Sequence, residues 1–297
     1  VQVVDVRKSS KFLAIRRQKT DVHDARGLAE LGRLARSMGS QVFVKPMEHQ
    51  NLRTLINVRR TMLKNRARTD ALIQSIFRLY GGNVKLLNGR GALAAEVNDQ
   101  VRKMRQHGLE IGVNLQPLVE IAEALREQIS ALDRQMRDIA SNNPTCRNFQ
   151  TIPGIGPVVA LSFYSAIGDP HRFERSRDVG AYLGLTPTLY QSGATSRRGR
   201  VSRHGNKLTR MHLITAATVL LCRIEIESRL RTWGLELAQR IGFLKARVAV
   251  ARKLAVIMLA MWKSGSPFYA DGEPSLFLQR EEAGLDPVLI SGTQISL

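Results

Sequence analysis

Apolar residues recur in steps of three and four over two long stretches, and each stretch predicts a helix of coiled-coil type. In the first, after Pro46, the positions are Leu55, Val58, Met62, Asn65, Thr69, Leu72, Ile76 and Leu79. Six of these eight are apolar, and Gly81-Gly82 ends the run. The second starts at Pro117, suited to a first helical turn, and passes through Leu118, Ala122, Leu125, Ile129, Leu132, Met136 and Ile139 without a fault in the rhythm. Charged flanks at Glu120, Glu123, Arg126, Glu127, Arg134 and Arg137 complete the heptads. A helix over 117–141 would be about 36 Å long. An amphipathic helix on a globular core gives a related but broader stripe. Between the two runs, residues 81–116, with Gly89, Gly91, Gly108 and Gly112, predict a broken connector.

Upstream, Val1 to Val6 has the β-branched composition of a strand, and a basic loop follows from Arg7 to Lys19. Thr20-Asp21 then opens a helix with Leu28, Leu31 and Leu34 as its apolar positions. Gly39 stops it, and Gln41 to Val44 is a second short strand. Downstream, Asn143-Pro144 marks a boundary. Ile152-Pro153-Gly154-Ile155-Gly156-Pro157 predicts a turn between helices, and Val158 to Ile167 and Phe173 to Leu183 predict short helices. Gln191 to Lys207 predicts a loop, and two mostly apolar helices at about 208–224 and 243–262 complete the region. The expected class is mainly α, divided at 1–45, 46–143, 144–265 and 266–297.

Composition narrows the partners. The 297 residues carry 45 Lys+Arg against 25 Asp+Glu, a net charge of +20. The segment from Ser266 onward holds five acids and one base, so residues 1–265 carry +24. Such an excess in a region rich in apolar residues points to a polyanion. The acidic tail predicts a loosely ordered terminus. Two cysteines 76 residues apart, Cys146 and Cys222, make neither a disulfide scaffold nor a zinc cluster. No Walker loop, C-x-x-C pair or H-E-x-x-H is present. No apolar run approaches the roughly 20 residues of a membrane span, so a cytoplasmic, nucleoid-associated protein is expected.

Three constellations could carry chemistry. Asp21 and Asp24, three apart on a helix, project from one face and can offer oxygen ligands to Mg²⁺, as phosphoryl transfer requires. The same residues also suit a helix start, where Thr20 or Asp21 caps and acids face the positive end of the helix dipole. Gly154 and Gly156, in a turn of helix-hairpin-helix type, can bring backbone N–H groups close to a phosphate, or simply turn the chain. The run from Gln191 to Lys207 adds Arg197, Arg198, Arg200, Arg203 and Lys207, with Arg210 just beyond, all able to neutralise phosphate. A serine within it could be a nucleophile if activated, or serve only the turns.

In chain order these pieces resemble one family. Lys19-Thr20-Asp21-Val22-His23-Asp24-Ala25-Arg26 resembles the K-T-D-x-x-D-A motif of the insertion-sequence 110 transposases, also labelled 116/902. Ile152 to Gly156 resembles the start of that family's C-terminal domain. Asp178-Val179-Gly180-Ala181-Tyr182-Leu183-Gly184-Leu185-Thr186-Pro187, then Gln191-Ser192-Gly193 and Ser202-Arg203-His204-Gly205-Asn206, resembles its core. The resemblance spans about residues 1–265.

It implies a RuvC-like α/β remnant with an Asp-Glu-Asp-Asp metal set, coiled-coil helices, and a compact helical domain with a nucleophilic serine. Asp21 and Asp24 match the last two acids of the set, as Mg²⁺ ligands. Ser192 matches the serine, expected to form a covalent phosphoserine bond with DNA. The implied partners are element and target DNA, a noncoding bridge RNA, and further copies of the chain in a dimer or tetramer. The first Asp and the Glu of the set have no counterpart here. The chain is therefore expected to lack the family's N-terminal portion and to be inactive alone. A noncatalytic nucleic-acid-binding protein of helix-hairpin-helix type is the alternative.

Overall fold

The computed structural model describes residues 3–14, 20–34, 42–87, 89, 91–192 and 195–268, and shows a mainly α chain in two units, 1–47 and 48–297. The tail beyond 268, Gly39 and Gln41 lie outside the described residues. No helix among the described residues is long and apolar enough to cross a membrane.

In the N-terminal unit the strand expected over Val1 to Val6 reduces to a single bridge at Val4, with Val42 N–H donating to the Val3 carbonyl at 2.7 Å. The expected basic loop is instead helical at its start: α1 runs Val6–Leu13, with the Ser9 amide and hydroxyl both donating to the Asp5 carbonyl. Helix α2, Asp21–Leu34, lies against it, with Gly27 closely approached by Leu13. Of the three apolar positions expected to be covered, Leu31 is buried, whereas Leu28 and Leu34 are exposed. The contact runs through Gly27 and Leu31, and these two leucines lie off it.

The second unit opens with two long helices, α3 over Met47–Leu79 and α5 over Gly112–Asn142. The connector expected between them contains a further helix, α4 over Ala92–Arg105. Its first amides lack an intrahelical partner. The Glu123 carboxylate of α5 accepts from Gly91, Leu93 and Ala94 N–H at 3.1 to 3.3 Å, capping α4 from a neighbouring helix. Helix α5 begins five residues before Pro117, which lies inside it.

The buried seam is not the most apolar one. On α3 it runs through His49, Leu52, Ile56, Arg59, Leu63, Arg66, Asp70, Ile73 and Phe77, one residue beyond the expected series; Leu72 and Leu79 of that series are 47% and 76% exposed. On α5 it runs through Leu115, Val119, Ala122, Arg126, Ile129, Asp133, Met136 and Ala140. Ala122, Ile129 and Met136 belong to both readings, while Leu118, Leu125, Leu132 and Ile139 are only half-buried. Charge decides the difference. Arg59 pairs with Asp133, and Arg126 Nη2 donates to Asp70 Oδ1 at 2.9 Å. The guanidinium of Arg126 is otherwise satisfied by the Ala122 and Leu87 carbonyls, at 3.0 and 3.1 Å. These pairings set α3 and α5 antiparallel within one chain.

Two apolar clusters bracket the charged middle. One joins Ile73 and Phe77 to Leu93, Val97 and Met104 of α4 and to Leu115 and Val119. The other joins Leu52, Ile56, Met136 and Ala140 to the C-terminal helices. These are α6 (Pro144–Phe149), α7 (Pro157–Ile167), α8 (Asp178–Tyr182), α9 (Lys207–Cys222), α10 (Arg229–Ile241) and α11 (Phe243–Ser264). Helix α10 was not foreseen, and the helix expected over Phe173 to Leu183 shrinks to α8. Val250, Leu254, Met258 and Leu259 of α11 are fully buried, as expected for a helix apolar on several faces.

Asp70→Leu leaves the Arg126 charge buried without its counterion and should cost about 3–5 kcal/mol in chemical denaturation. Asp70→Leu with Arg126→Leu should recover most of that loss. Equal stability of the single and double variants would show that the pair does not set the seam.

Candidate functional site

The segment expected to be a loop is a β-hairpin. Strand β1 (Pro187–Ser192) pairs antiparallel with β2 (Thr195–Val201), and a bulge lies between Pro187 and Leu189. The register sets Leu189 opposite Arg198, Tyr190 opposite Arg197 and Ser192 opposite Thr195. Ser192 is therefore the last paired residue of β1, next to the loop. Tyr190 is 66% exposed, and Arg197 and Arg200 are exposed with no carboxylate partner among the described residues.

The hairpin is tied down at its base. Gly184 at φ +68° and Gly205 at φ +79° let two strands of backbone cross. A Cβ on Gly184 would collide with the His204 backbone, and one on Gly205 with the Tyr182 carbonyl. Only glycine combines such a φ with such an approach. Arg203 N–H donates to the Gly184 carbonyl at 3.3 Å, and Arg203 itself has φ +56°, costly for a side chain of that size. Arg210 closes the crossing: it is buried, and Nη1 donates to the Leu183 and His204 carbonyls at 2.8 and 2.9 Å. Burial, and then Arg203, lower its pKa from the usual guanidinium value. Of the cations counted in this run, Arg210 is structural and cannot reach a ligand. Asn206 finishes the base, its side chain accepting from Leu208 and Thr209 N–H to cap α9.

The Gly154-Gly156 turn joins α6 to α7. Gly154, at φ +88°, lies against α9, where a Cβ would sit 3.2 Å from the Ala216 carbonyl oxygen. Its lack of a side chain serves that packing, whereas Gly156, the N-cap of α7, faces open space.

Asp21 and Asp24 occupy the first turn of α2 in the N-terminal unit. The Thr20 hydroxyl accepts from His23 N–H at 3.3 Å, and its carbonyl from Asp24 N–H at 2.9 Å, so Thr20 is the cap. That leaves both carboxylates without a hydrogen bond or ion pair among the described residues, Asp21 exposed and Asp24 half-buried. Two adjacent hard oxygen donors suit Mg²⁺, which keeps several waters and takes few protein ligands. No larger cluster of His, Cys, Asp or Glu occurs among the described residues. Cys146 offers no competing nucleophile, because burial pushes its thiol up to about 12.

Unpaired arginines on an exposed hairpin, with a serine next to its loop, are groups that can meet a polyanion. Residues 146–232 match the model of the transposase IS116/IS110/IS902 family, and residues 1–81 match a second transposase model. The transposase for insertion sequence element IS1111A of Coxiella burnetii is 30% identical over 83% of this chain and 67% of that protein. A probable family 20 transposase of Pseudomonas aeruginosa is 29% identical over 83% of this chain and 73% of its own length. The transposase for insertion sequence element IS1328 of Yersinia enterocolitica is 27% identical over 86% and 75%. The chain belongs to the IS110/IS116/IS902 family of insertion-sequence transposases.

Two expectations follow from this geometry. Gly184→Ala should cost at least about 2 kcal/mol in denaturant unfolding, from the unfavourable φ and the clash. Arg197→Ala on the exposed strand should stay within about 0.5 kcal/mol of the parent. Similar losses for both would mean that the crossing does not anchor the hairpin.

His212 of α9 supplies the second. Burial, and then Arg59 and Arg60, push its pKa down to about 4. The unfolded chain binds this proton near pH 6.5 and the folded chain does not, so stability falls as pH drops from 6.5 towards 4. The cost at pH 4.5 should be about 2–3 kcal/mol, and His212→Gln should remove that part of the acid dependence. An unchanged pH profile in the variant would assign it to other groups.

Proposed function

We propose that the chain cuts and rejoins DNA strands of an insertion sequence, with Ser192 as nucleophile and a bridge RNA choosing the sites. The observation that carries this reading is the place of Ser192: it closes β1 at the loop of a hairpin whose opposite strand bears exposed Arg197 and Arg200. The Ser192 oxygen attacks the phosphorus of a backbone phosphodiester and forms a serine–phosphate ester. One ester bond of that phosphate breaks, its oxygen leaves with the other strand end, and the serine proton passes to a base. Guanidinium forks of Arg197, Arg198 and Arg200 would hold the phosphate oxygens as negative charge grows in the transition state. Reversal at a second strand end transfers the strand without net loss of phosphoester bonds.

Asp21 and Asp24 are the residues that would hold Mg²⁺, which when bound supplies charge stabilisation and lowers the pKa of an attacking or leaving oxygen. Cutting and joining two DNA partners calls for more than one copy of the chain, a dimer or tetramer. Leu118 and Ile139 pack against the chain's own apolar clusters, which leaves half-buried Leu125 and Leu132 to meet another protomer.

Incubation of the full-length protein with element DNA, bridge RNA and Mg²⁺, followed by denaturation, tests the reading. A covalent DNA–protein species is expected, absent in Ser192→Ala and reduced in Asp21→Asn with Asp24→Asn. No adduct, or one that survives Ser192→Ala, removes Ser192 as nucleophile and leaves a noncatalytic nucleic-acid binder.

A further inference from the structure

Arg53, Asn57 and Arg60 share one face of α3. Opposite them the chain leaves the hairpin through Gly205, Asn206 and Lys207 and enters α9. Between lies a cavity of about 200 Å³. Thr209 and Ser162 form its buried floor; their hydroxyls lie 3.1 Å apart, and Thr209 also donates to the Ser162 carbonyl. The floor is thus satisfied without a ligand, and the unmet demand comes from the rim. Arg53, Arg60 and Lys207 all line the cavity, no carboxylate does, and none of the three has an ion-pair partner among the described residues.

Three like charges around one concavity repel one another, so an anion arriving there gains from all three. The mostly polar lining offers hydrogen-bond donors, and beside its apolar members Ile56 and Leu208 it holds no aromatic ring on which a base could stack. Asn206 already takes the Leu208 and Thr209 amides, so the helix end adds only its partial positive charge, and recognition rests on the side chains. Liquid water occupies about 30 Å³ per molecule, so the cavity admits one phosphate group together with several waters. The unfavourable field that Arg59 and Arg60 impose on His212, one turn beyond Thr209, is what a bound anion would relieve.

We infer that this cavity is a second phosphate-binding site, distinct from Ser192, which grips one backbone phosphate of a nucleic-acid strand through Arg53, Arg60 and Lys207. Seated at the hairpin base, it fixes how far along the strand the hairpin loop falls, without reading any base. The site rests on the reading that the chain handles nucleic acid, and it needs neither Ser192 nor Mg²⁺.

The test is equilibrium binding of the full chain to a labelled DNA duplex and to an RNA strand of matching sequence, in Mg²⁺-free buffer at several salt concentrations. Arg53→Gln with Arg60→Gln should weaken binding about tenfold or more near 0.1 M salt, and should lower the salt slope by about one. Asn57→Trp, an exposed position where net charge is kept but the cavity is filled, should do the same. Lys64→Gln with Arg68→Gln removes equal charge from positions further along α3, outside the cavity lining, and should cost less than about threefold. Arg53→Lys with Arg60→Lys should recover part of the loss, which separates a binding defect from misfolding. A loss confined to duplex assigns the phosphate to DNA, and a loss confined to RNA assigns it to RNA. Parental binding by Asn57→Trp, or an equal loss in the Lys64/Arg68 control, would overturn the site. Because the assay involves no cleavage, its outcome stands apart from that of the adduct experiment.

Discussion

The backbone crossing at Gly184 and Gly205 is the constraint on which the hairpin depends. A two-stranded ribbon alone is marginal in water, and a register slip would turn every side chain to the opposite face. Here both ends of the ribbon are clamped. Gly184 and Gly205 admit each other's neighbouring backbone, Arg210 bonds one carbonyl from each side, and Asn206 converts the departing strand directly into α9. The strained Arg203 sits within this knot, held by its bond to the Gly184 carbonyl. A hairpin so fixed keeps the exposed Arg197 and Arg200 in one register.

The fold was legible where apolar content alone decided it. The α7, α9 and α11 helices fall close to the expected spans, because a helix apolar on several faces has nowhere to go but the core. The long helices were legible as helices but not in their rotation. Arg59, Asp70, Arg126 and Asp133 look like surface residues one at a time, and only their partners across the seam make them interior. The stripe of Val58, Leu72 and Leu79 is more apolar and yet faces outward. The hairpin was missed because β2 is rich in Arg with a Gly inside it and the strand-forming residues of β1 are only Thr188, Leu189 and Tyr190, too short a signal; a ribbon held at its base by a crossing needs little more.

The site was legible to a similar extent. The order of Asp21, Asp24, the Gly154 turn and Ser192 carried the family, which the matching models and relatives bear out. What composition could not do was sort the cations. Arg126 and Arg210 are buried and spent on carbonyls or a carboxylate, and Arg59 is paired; Arg53, Arg60, Arg197, Arg200 and Lys207 have no carboxylate partner among the described residues. Sequence assigns both groups the same charge. Arg53 and Arg60 went unnoticed because they lie more than 130 residues from the segment they face.

That separation gives the charged seam a second consequence. Arg59 points into the coil and Arg60, the next residue, into the cavity, so the two roles are fixed about 100° apart on one helix. If α3 were rotated to bury its more apolar stripe, one residue back, Arg53 and Arg60 would swing by that same angle away from Lys207. Apolar burial alone favours that rotation, since it would cover Val58, Leu72 and Leu79. The buried pairs oppose it: Asp70 and Arg126 would lose each other and remain desolvated, at a cost of several kcal/mol. A polar seam is thus a poor source of net stability and a good determinant of rotation. Through it, a helix whose middle is packed against α5 holds Arg53 and Arg60 in place beside the base of the hairpin.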